Sequence, residues 1–370
     1  EMSASLVGSE MCIRDRLKSH GLDSNGQLYK INSFEFYRYE DIIKKEDDAG
    51  YDKTAFEKML EIKGDSDHTK LIDMLTDLND YSIGIEDVLK EHFDEENIVY
   101  WMAFQILMGN VDTQNRNVYL YSPLNSDIWY FIAWDNDGCL MRPEYELRNF
   151  SDQNSWEKGI SNYWGNILFQ RCLKSRSFRE KLNDAILDLR EYLNKDMLTS
   201  KIESYKNVLK PYLYLMPDAE YEPLTSEQYD QIAASLPDEI EKNYQLYLES
   251  LETPMPFYIG VPTIDGDKLK FNWDVSYDLD AEDITYSVEV AGDYLFRDVI
   301  YQNTTLTVPE AEMDLPKAGQ YFVRVRATNT SGKTQDAFDY YVTDEGKYYG
   351  MRCFYITEDS TVEEDDYEEG

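Results

Sequence analysis

Asp112 and Asn117 stand five positions apart in the polar loop Val111-Asp112-Thr113-Gln114-Asn115-Arg116-Asn117, and Asp135 and Asp137 follow in Trp134-Asp135-Asn136-Asp137-Gly138. A loop carboxylate can orient or deprotonate an attacking hydroxyl. A side-chain amide oxygen and a further carboxylate can hold a divalent cation against phosphate oxygens. Together these are the groups that a phosphoryl transfer asks of a protein, because that reaction depends on positioning and charge neutralisation more than on covalent help. Each group alone also has an ordinary reading: Asp112 as a loop carboxylate bonding its own backbone, and Asp135 to Gly138 as a polar turn after a strand. An EF-hand reading of the second group fails, because Cys139 stands where a third ligand oxygen is needed.

The elements around these residues have the order such a site requires. His68 to Asn79 carries Leu71, Ile72, Leu75 and Leu78 at helical spacing, and Ile85 to Phe93 reads as a second short helix. Asp94-Glu95-Glu96 places acids ahead of Asn97 to Met108, which is apolar on nearly all faces apart from Gln105 and is expected to be a buried central helix. Gly109-Asn110 ends it. Val118 to Tyr121 and Ile128 to Trp134, separated by Pro123, Asn125, Ser126 and Asp127, predict a hairpin that delivers the chain into Asp135. Upstream, Gly26 to Ile31 reads as a turn entering a strand, and Tyr51 to Gly64 as mostly helical. Downstream, Ile160 to Leu251 reads as several amphipathic helices, including Phe178 to Leu193 and Ser226 to Leu251, broken near Pro217.

Composition excludes several chemistries. The 370 residues carry a formal net charge of -37, which argues against nucleic-acid binding through a basic stripe and makes a basic partner easier to accommodate than an acidic one. Three scattered histidines and four unpatterned cysteines offer no triad, zinc site or disulfide framework. The longest apolar run is too short to span a bilayer. Residues 10–16 resemble a translated sequencing-adapter end, so residues 1–16 are set aside, and the expectation is a chain whose natural gene continues upstream.

Taken in order, Gly109-Asn110-x-Asp112, Asn117-Val118-Tyr119-Leu120-Tyr121 and Trp134-Asp135-Asn136-Asp137 resemble the CotH (spore coat protein H) kinase family, and Gly26-Gln27-Leu28-Tyr29-Lys30 is similar to that family's Gly-x-Leu-Tyr-Lys segment. The resemblance covers residues 22–140 clearly and the following helices loosely. It implies an atypical kinase-like fold that uses ATP and Mg²⁺ or Mn²⁺ to phosphorylate protein hydroxyls, with basic, Ser-rich coat or surface proteins as the substrate class. It implies Asp112 as catalytic base, Asn117 and Asp135 as metal ligands with Asp137 as a second candidate, and Lys30 and Arg116 as candidates for the nucleotide. Gln114 departs from the pattern, standing where many kinases have a phosphate-contacting lysine. The other readings are a catalytically silent kinase-like scaffold for adhesion or coat assembly, and a carbohydrate-associated protein.

Thr253-Pro254-Met255-Pro256 is a plausible linker, after which the pattern turns to short alternating strands: Lys268 to Trp273, Ile284 to Val290, Thr304 to Val308, Gly319 to Thr328 and Ala337 to Val342. Trp273, with Leu315-x-x-x-Gly319-x-Tyr321 before the long late strand, resembles a fibronectin type III domain with its tyrosine corner. The expected fold class is therefore α+β: a kinase-like domain over 17–252, a β-sandwich over 253–346, and a C-terminal segment over 347–370 ending in an acidic tail. The resemblance points to a spore coat or cell-surface setting.

Overall fold

The computed structural model describes residues 15–148, 156–344 and 346–364. The adapter-like stretch lies outside these residues except for Asp15 and Arg16, as does the end of the acidic tail. The chain forms two compact units, Glu1–Glu144 with Gly165–Tyr244, and Tyr145–Trp164 with Gln245–Gly370. Helices and antiparallel sheets coexist, as expected for an α+β chain.

In the first unit, β1 (Gln27–Ile31) is followed by α1 (Lys53–Met59) and β2 (Leu60–Ile62). Helix α1 is capped by Asp52, whose carboxylate accepts the Thr54 amide at 2.9 Å. The mostly helical reading of 51–64 is corrected here: Leu60 leaves the helix in an extended conformation and pairs with Ile31, so the end of the segment becomes an edge strand. Sheet pairing overrides local propensity at that point. Next come α2 (Thr69–Asn79), α3 (Ile85–His92) and α4 (Glu95–Met108), then the hairpin β3 (Val118–Ser122) and β4 (Tyr130–Ala133). The four strands form a sheet in the order β2-β1-β3-β4, antiparallel throughout.

One face of this sheet buries Leu28, Tyr119 and Tyr121 together with Leu17. On the other, Phe131 packs at 5.0 Å on Trp101 of α4, which stacks at 5.6 Å on Phe169 of α6 (Ile167–Lys174). Asn97 of α4 also grips the hairpin, accepting the Phe131 amide at 2.6 Å and donating to the Phe131 carbonyl at 3.1 Å. Helix α4 buries Ile98, Val99, Trp101, Met102, Ala103, Gln105, Ile106 and Leu107 around its circumference, which makes it the central post of the unit. Helices α7 (Arg176–Tyr192), α8 (Lys195–Leu213) and α9 (Ser226–Glu252) complete it, with Lys181 of α7 paired to Glu95 of α4 at 2.6 Å.

The second unit holds a three-stranded sheet, β5 (Thr263–Asp265), β6 (Lys268–Asn272) and β9 (Glu310–Asp314), in the order β5-β6-β9. A larger sheet runs β15-β14-β10-β7-β8, from β7 (Ile284–Ala291), β8 (Val299–Leu306), β10 (Gly319–Asn329), β14 (Met351–Ile356) and β15 (Val362–Glu364). Leu269, Phe271 and Trp273 from the first sheet share one core with Val288, Val290, Val323, Val325 and Phe354 from the second. Tyr321 donates its hydroxyl to the Lys317 carbonyl at 2.9 Å. Residues 337–339, expected within a strand, separate β11 (Thr334–Asp336) from β12 (Tyr340–Thr343), because Asp339 turns its carboxylate back onto the Ile259 amide at 2.7 Å. No described helix is long and apolar enough to cross a membrane.

Candidate active site

The loop bearing Asp112 is shaped first by how α4 ends. Gly109 takes the left-handed conformation (φ +61°), and its amide returns to Gln105 and Ile106. A side chain there would also meet Asn243 of α9, whose Nδ2 lies 2.7 Å from where a Cβ would stand. Val111–Thr113 then forms a single tight turn, closed by Thr113 Oγ1 donating to the Asn110 carbonyl at 3.1 Å. Beyond it the loop is tied down on two sides. Asn115 Nδ2 donates to Glu35 at 2.6 Å, and the buried Asn166 donates to the Gln114 carbonyl at 2.9 Å.

Within this frame Asp112 uses both oxygens. Oδ1 pairs with the Arg116 guanidinium at 2.7 Å, and Oδ2 accepts from Asn117 Nδ2 at 3.0 Å. The second contact commits the Asn117 amide nitrogen to Asp112 and leaves its oxygen, the atom a hard cation takes. The Asp112 carboxylate remains 42% exposed, so a substrate hydroxyl can reach it. The pair with Arg116 is open to solvent and contributes little, so exchanging it for a substrate contact is cheap.

The hairpin register brings the second acidic segment to this loop. Val118 is paired with Ala133 at the open end of β3 and β4, so Asn117 and Trp134 flank that pair and Asp135 follows one residue on. Asn117 (φ +58°) and Asp135 (φ +53°) both adopt the left-handed backbone, uncommon outside glycine but best tolerated by Asn and Asp. Such strain gathers at functional positions, where surrounding contacts enforce it. Trp134 packs edge-on against Tyr119 at 5.0 Å, fixing the approach to Asp135. Asp135, Asn136 and Asp137 are all exposed.

An amide cluster, buried at Gln105 and Asn110 and exposed at Asn136, locks the two loops together. Gln105, the polar residue inside the apolar helix, donates to Asn136 Oδ1 at 3.1 Å and accepts from Asn110 Nδ2 at 3.0 Å, while Asn110 also reaches Asn136 at 3.3 Å. Gly138 lies against the first loop, since a Cβ there would stand 2.7 Å from Asn110 Oδ1 and 3.6 Å from the Asp112 Cβ. The Leu140 amide donates to the Met108 carbonyl at 2.8 Å. Cys139 between them is half-buried, and burial, with the Asp137 charge adding to it, pushes its thiol up to about 12. It is therefore neutral and unreactive at ordinary pH.

Three residues that the sequence reading did not single out complete this frame. Arg142 donates to Asn243 Oδ1 at 2.7 Å and pairs with the fully buried Glu239 at 3.3 Å. Asn243 in turn donates to the Leu107 carbonyl at 2.9 Å. Helix α9 thus holds both the exit of α4 and the exit of the Asp135 loop. The only trace of this in the sequence is an Arg shortly after Asp-Gly; Glu239 and Asn243 lie about a hundred residues away.

Asp112, Asn117, Asp135 and Asp137 are therefore gathered at one end of the hairpin, and Arg116 turns onto Asp112. Lys30 sits on β1 opposite Tyr119 of β3, one pair in from Ile31 and Val118, on the sheet beside the loop. The described residues contain no group of three or more His, Cys, Asp or Glu side chains arranged to hold a metal. A magnesium site built from one or two carboxylates, an amide oxygen and the nucleotide's own phosphates needs no such group, and the donors here are of that hard-oxygen kind.

Comparison with known proteins identifies the family. The family described as CotH kinase protein matches residues 9–247, well over half the chain. The chain belongs to the CotH kinase family. A kinase-like function follows as the family's general expectation. A search of curated proteins finds none that matches. Among solved structures, surface layer protein SbsC, domains 1-6, aligns over 89% of this chain and 41% of its own, at 12% identity and a TM-score of 0.15. That likeness is too slight to inform the fold, and the chain spans about two fifths of that structure's length.

Proposed function

We propose that this CotH-family chain carries the site of an ATP-dependent protein kinase that transfers the γ-phosphoryl group to Ser or Thr hydroxyls of basic proteins. The observation that carries this reading is the meeting of Asp112, Asn117 and Asp135 at the open end of one hairpin, with Asn117 bonded to Asp112 and both metal-ligand candidates in the left-handed backbone. Bound Mg²⁺ or Mn²⁺ would neutralise the charge of the nucleotide phosphates. Asn117 and Asp135 would hold that ion, with Asp137 beside them. Asp112 orients the incoming hydroxyl and takes its proton, releasing Arg116 toward the developing phosphate charge. Lys30 lines the nucleotide side of the sheet.

The net charge of -37 favours a basic partner and opposes nucleic acid, and the family resemblance implies one rich in serine. A spore coat or cell-surface setting is the corresponding proposal for location. We read the second unit as fibronectin type III-like, supported by the β5-β6-β9 and β8-β7-β10-β14 strand orders and by the Tyr321 to Lys317 hydrogen bond, with a spacing or binding role. The competing reading is a silent kinase-like scaffold.

The test is incorporation of labelled γ-phosphate into a basic, Ser-rich protein with Mg²⁺ and with Mn²⁺, comparing the chain with Asp112→Asn. The proposal expects incorporation that the substitution lowers at least a hundredfold while Mn²⁺-ATP binding persists. Nucleotide binding without any transfer in either metal favours the scaffold.

A further inference from the structure

Helix α8 presents a row of apolar side chains that nothing in its unit covers. Tyr205, Val208, Leu209 and Tyr212 recur at helical spacing on α8, and Leu215 and Met216 follow in the turn just past it; all six are between 51% and 73% exposed, whereas Leu198 is the only buried residue of the helix. Two tyrosines and four aliphatic side chains at these exposures amount to about 500 Å² of apolar surface. That lies at the upper end of what a monomer's largest patch usually reaches. With the roughly 60% apolar share typical of an interface, it is the core of a contact of about 800 Å² per partner, the size of a standard specific interface.

The charges around the row indicate what fits it. Lys201, one helical turn before Tyr205, bounds one end, and Asp218 and Glu220, just past Met216, bound the other. All three are exposed. The helix itself carries Lys195, Lys201, Lys206 and Lys210 against Asp196 and Glu203, on a chain that is otherwise strongly acidic. A two-fold axis perpendicular to the helix brings the same patch of two copies together antiparallel. Near Leu209 as pivot, Tyr205 of one copy then meets Tyr212 of the other, and Lys201 meets the Asp218–Glu220 end.

We propose that α8 is the self-association surface of this chain: a second copy docks antiparallel across Tyr205 to Met216 and forms a two-fold dimer. The site residues near Asp112 are not part of this surface, so the proposal stands or falls independently of the kinase reading.

Sedimentation equilibrium of the full chain from 1 to 100 µM tests it. The expected result is a monomer–dimer equilibrium that Leu209→Glu shifts to monomer throughout, with unchanged circular dichroism, because the site is exposed. Lys201→Glu is expected to weaken the dimer about tenfold in 50 mM salt, and adding Asp218→Lys and Glu220→Lys to the same chain is expected to restore it. A wild-type monomer at 100 µM overturns the proposal, whether the row is then bare or shielded from hydrogen exchange by another occupant, such as a further segment of the chain. A dimer indifferent to Leu209→Glu, or charge swaps that fail to compensate, overturn it equally.

Discussion

Replacing Arg142 by alanine removes two contacts at once, and their sizes follow from the structure. One is the 2.7 Å hydrogen bond to Asn243, worth about 1 kcal/mol. The other is the pairing with Glu239, whose side chain is 1% exposed. Stripping the partner from a buried carboxylate costs about 3–5 kcal/mol. Lys242 still holds Glu239 Oε1 at 2.6 Å, so the loss here is nearer 2 kcal/mol. The sum, about 3 kcal/mol, corresponds to a fall of about 6–12 °C in the unfolding midpoint of a domain of this size. Glu239→Gln in the Arg142→Ala background removes the uncompensated charge and is expected to recover about half of the loss, so the two changes are strongly non-additive. Thermal unfolding by circular dichroism, run on the two single variants and the double, measures this directly. A shift under about 2 °C for Arg142→Ala, or a double variant equal to the sum of the singles, refutes the account of α9 as the clamp on both loops.

Further outcomes follow from other contacts. Gly138→Ala forces a Cβ to 2.7 Å from the buried and hydrogen-bonded Asn110, so the Asp135 loop must move; phosphoryl transfer should fall about tenfold to a hundredfold with a midpoint loss of only a few degrees, and an unaltered rate would contradict the packing described. His68 is stacked on Phe56 at 4.2 Å and bonded to Tyr29 at 2.8 Å, and burial holds its imidazole below the ordinary value, with Glu46, Asp67 and Asp65 opposing weakly. The unfolded chain therefore takes up the proton first, so stability should decline as pH falls through about 6.5, and His68→Gln should flatten that decline in unfolding midpoints between pH 7.5 and 5.5. Tyr321→Phe removes the bond to the Lys317 carbonyl and should cost the β-rich unit about 1 kcal/mol in urea unfolding, with phosphoryl transfer untouched.

The positions that position chemistry were readable because they are local. Gly109 needed the left-handed backbone to end α4, and the β-rich runs Val118 to Tyr121 and Ile128 to Trp134, split by turn residues, required a hairpin that returns the chain to the loop. Gln105 was conspicuous as the one amide within the apolar run Ile98 to Met108, although only the fold shows that it bonds Asn110 and Asn136. The grip of Glu35, Asn166 and Asn243 on the loop was not readable, since each lies far along the chain and is an ordinary polar residue by type. Leu60 to Ile62 was misread because three residues joining a sheet edge leave almost no periodic signal beside the helix they follow. In the β-rich unit, strands β14 and β15 extend the larger sheet past residue 346, which depends on the pairing of β14 with the distant β10 that composition does not encode.

The most direct test of the site is the transfer of labelled γ-phosphate by the full chain and by Asp135→Ala, with Mn²⁺ and Mg²⁺ and a basic, Ser-rich protein as acceptor. Asp135 is exposed, so its truncation should leave the fold intact, and the left-handed backbone there should cost about 1 kcal/mol, a fall of about 2–4 °C in the unfolding midpoint. The account predicts at least a hundredfold loss of transfer together with weakened Mn²⁺-dependent nucleotide binding. Undiminished transfer by Asp135→Ala would contradict it.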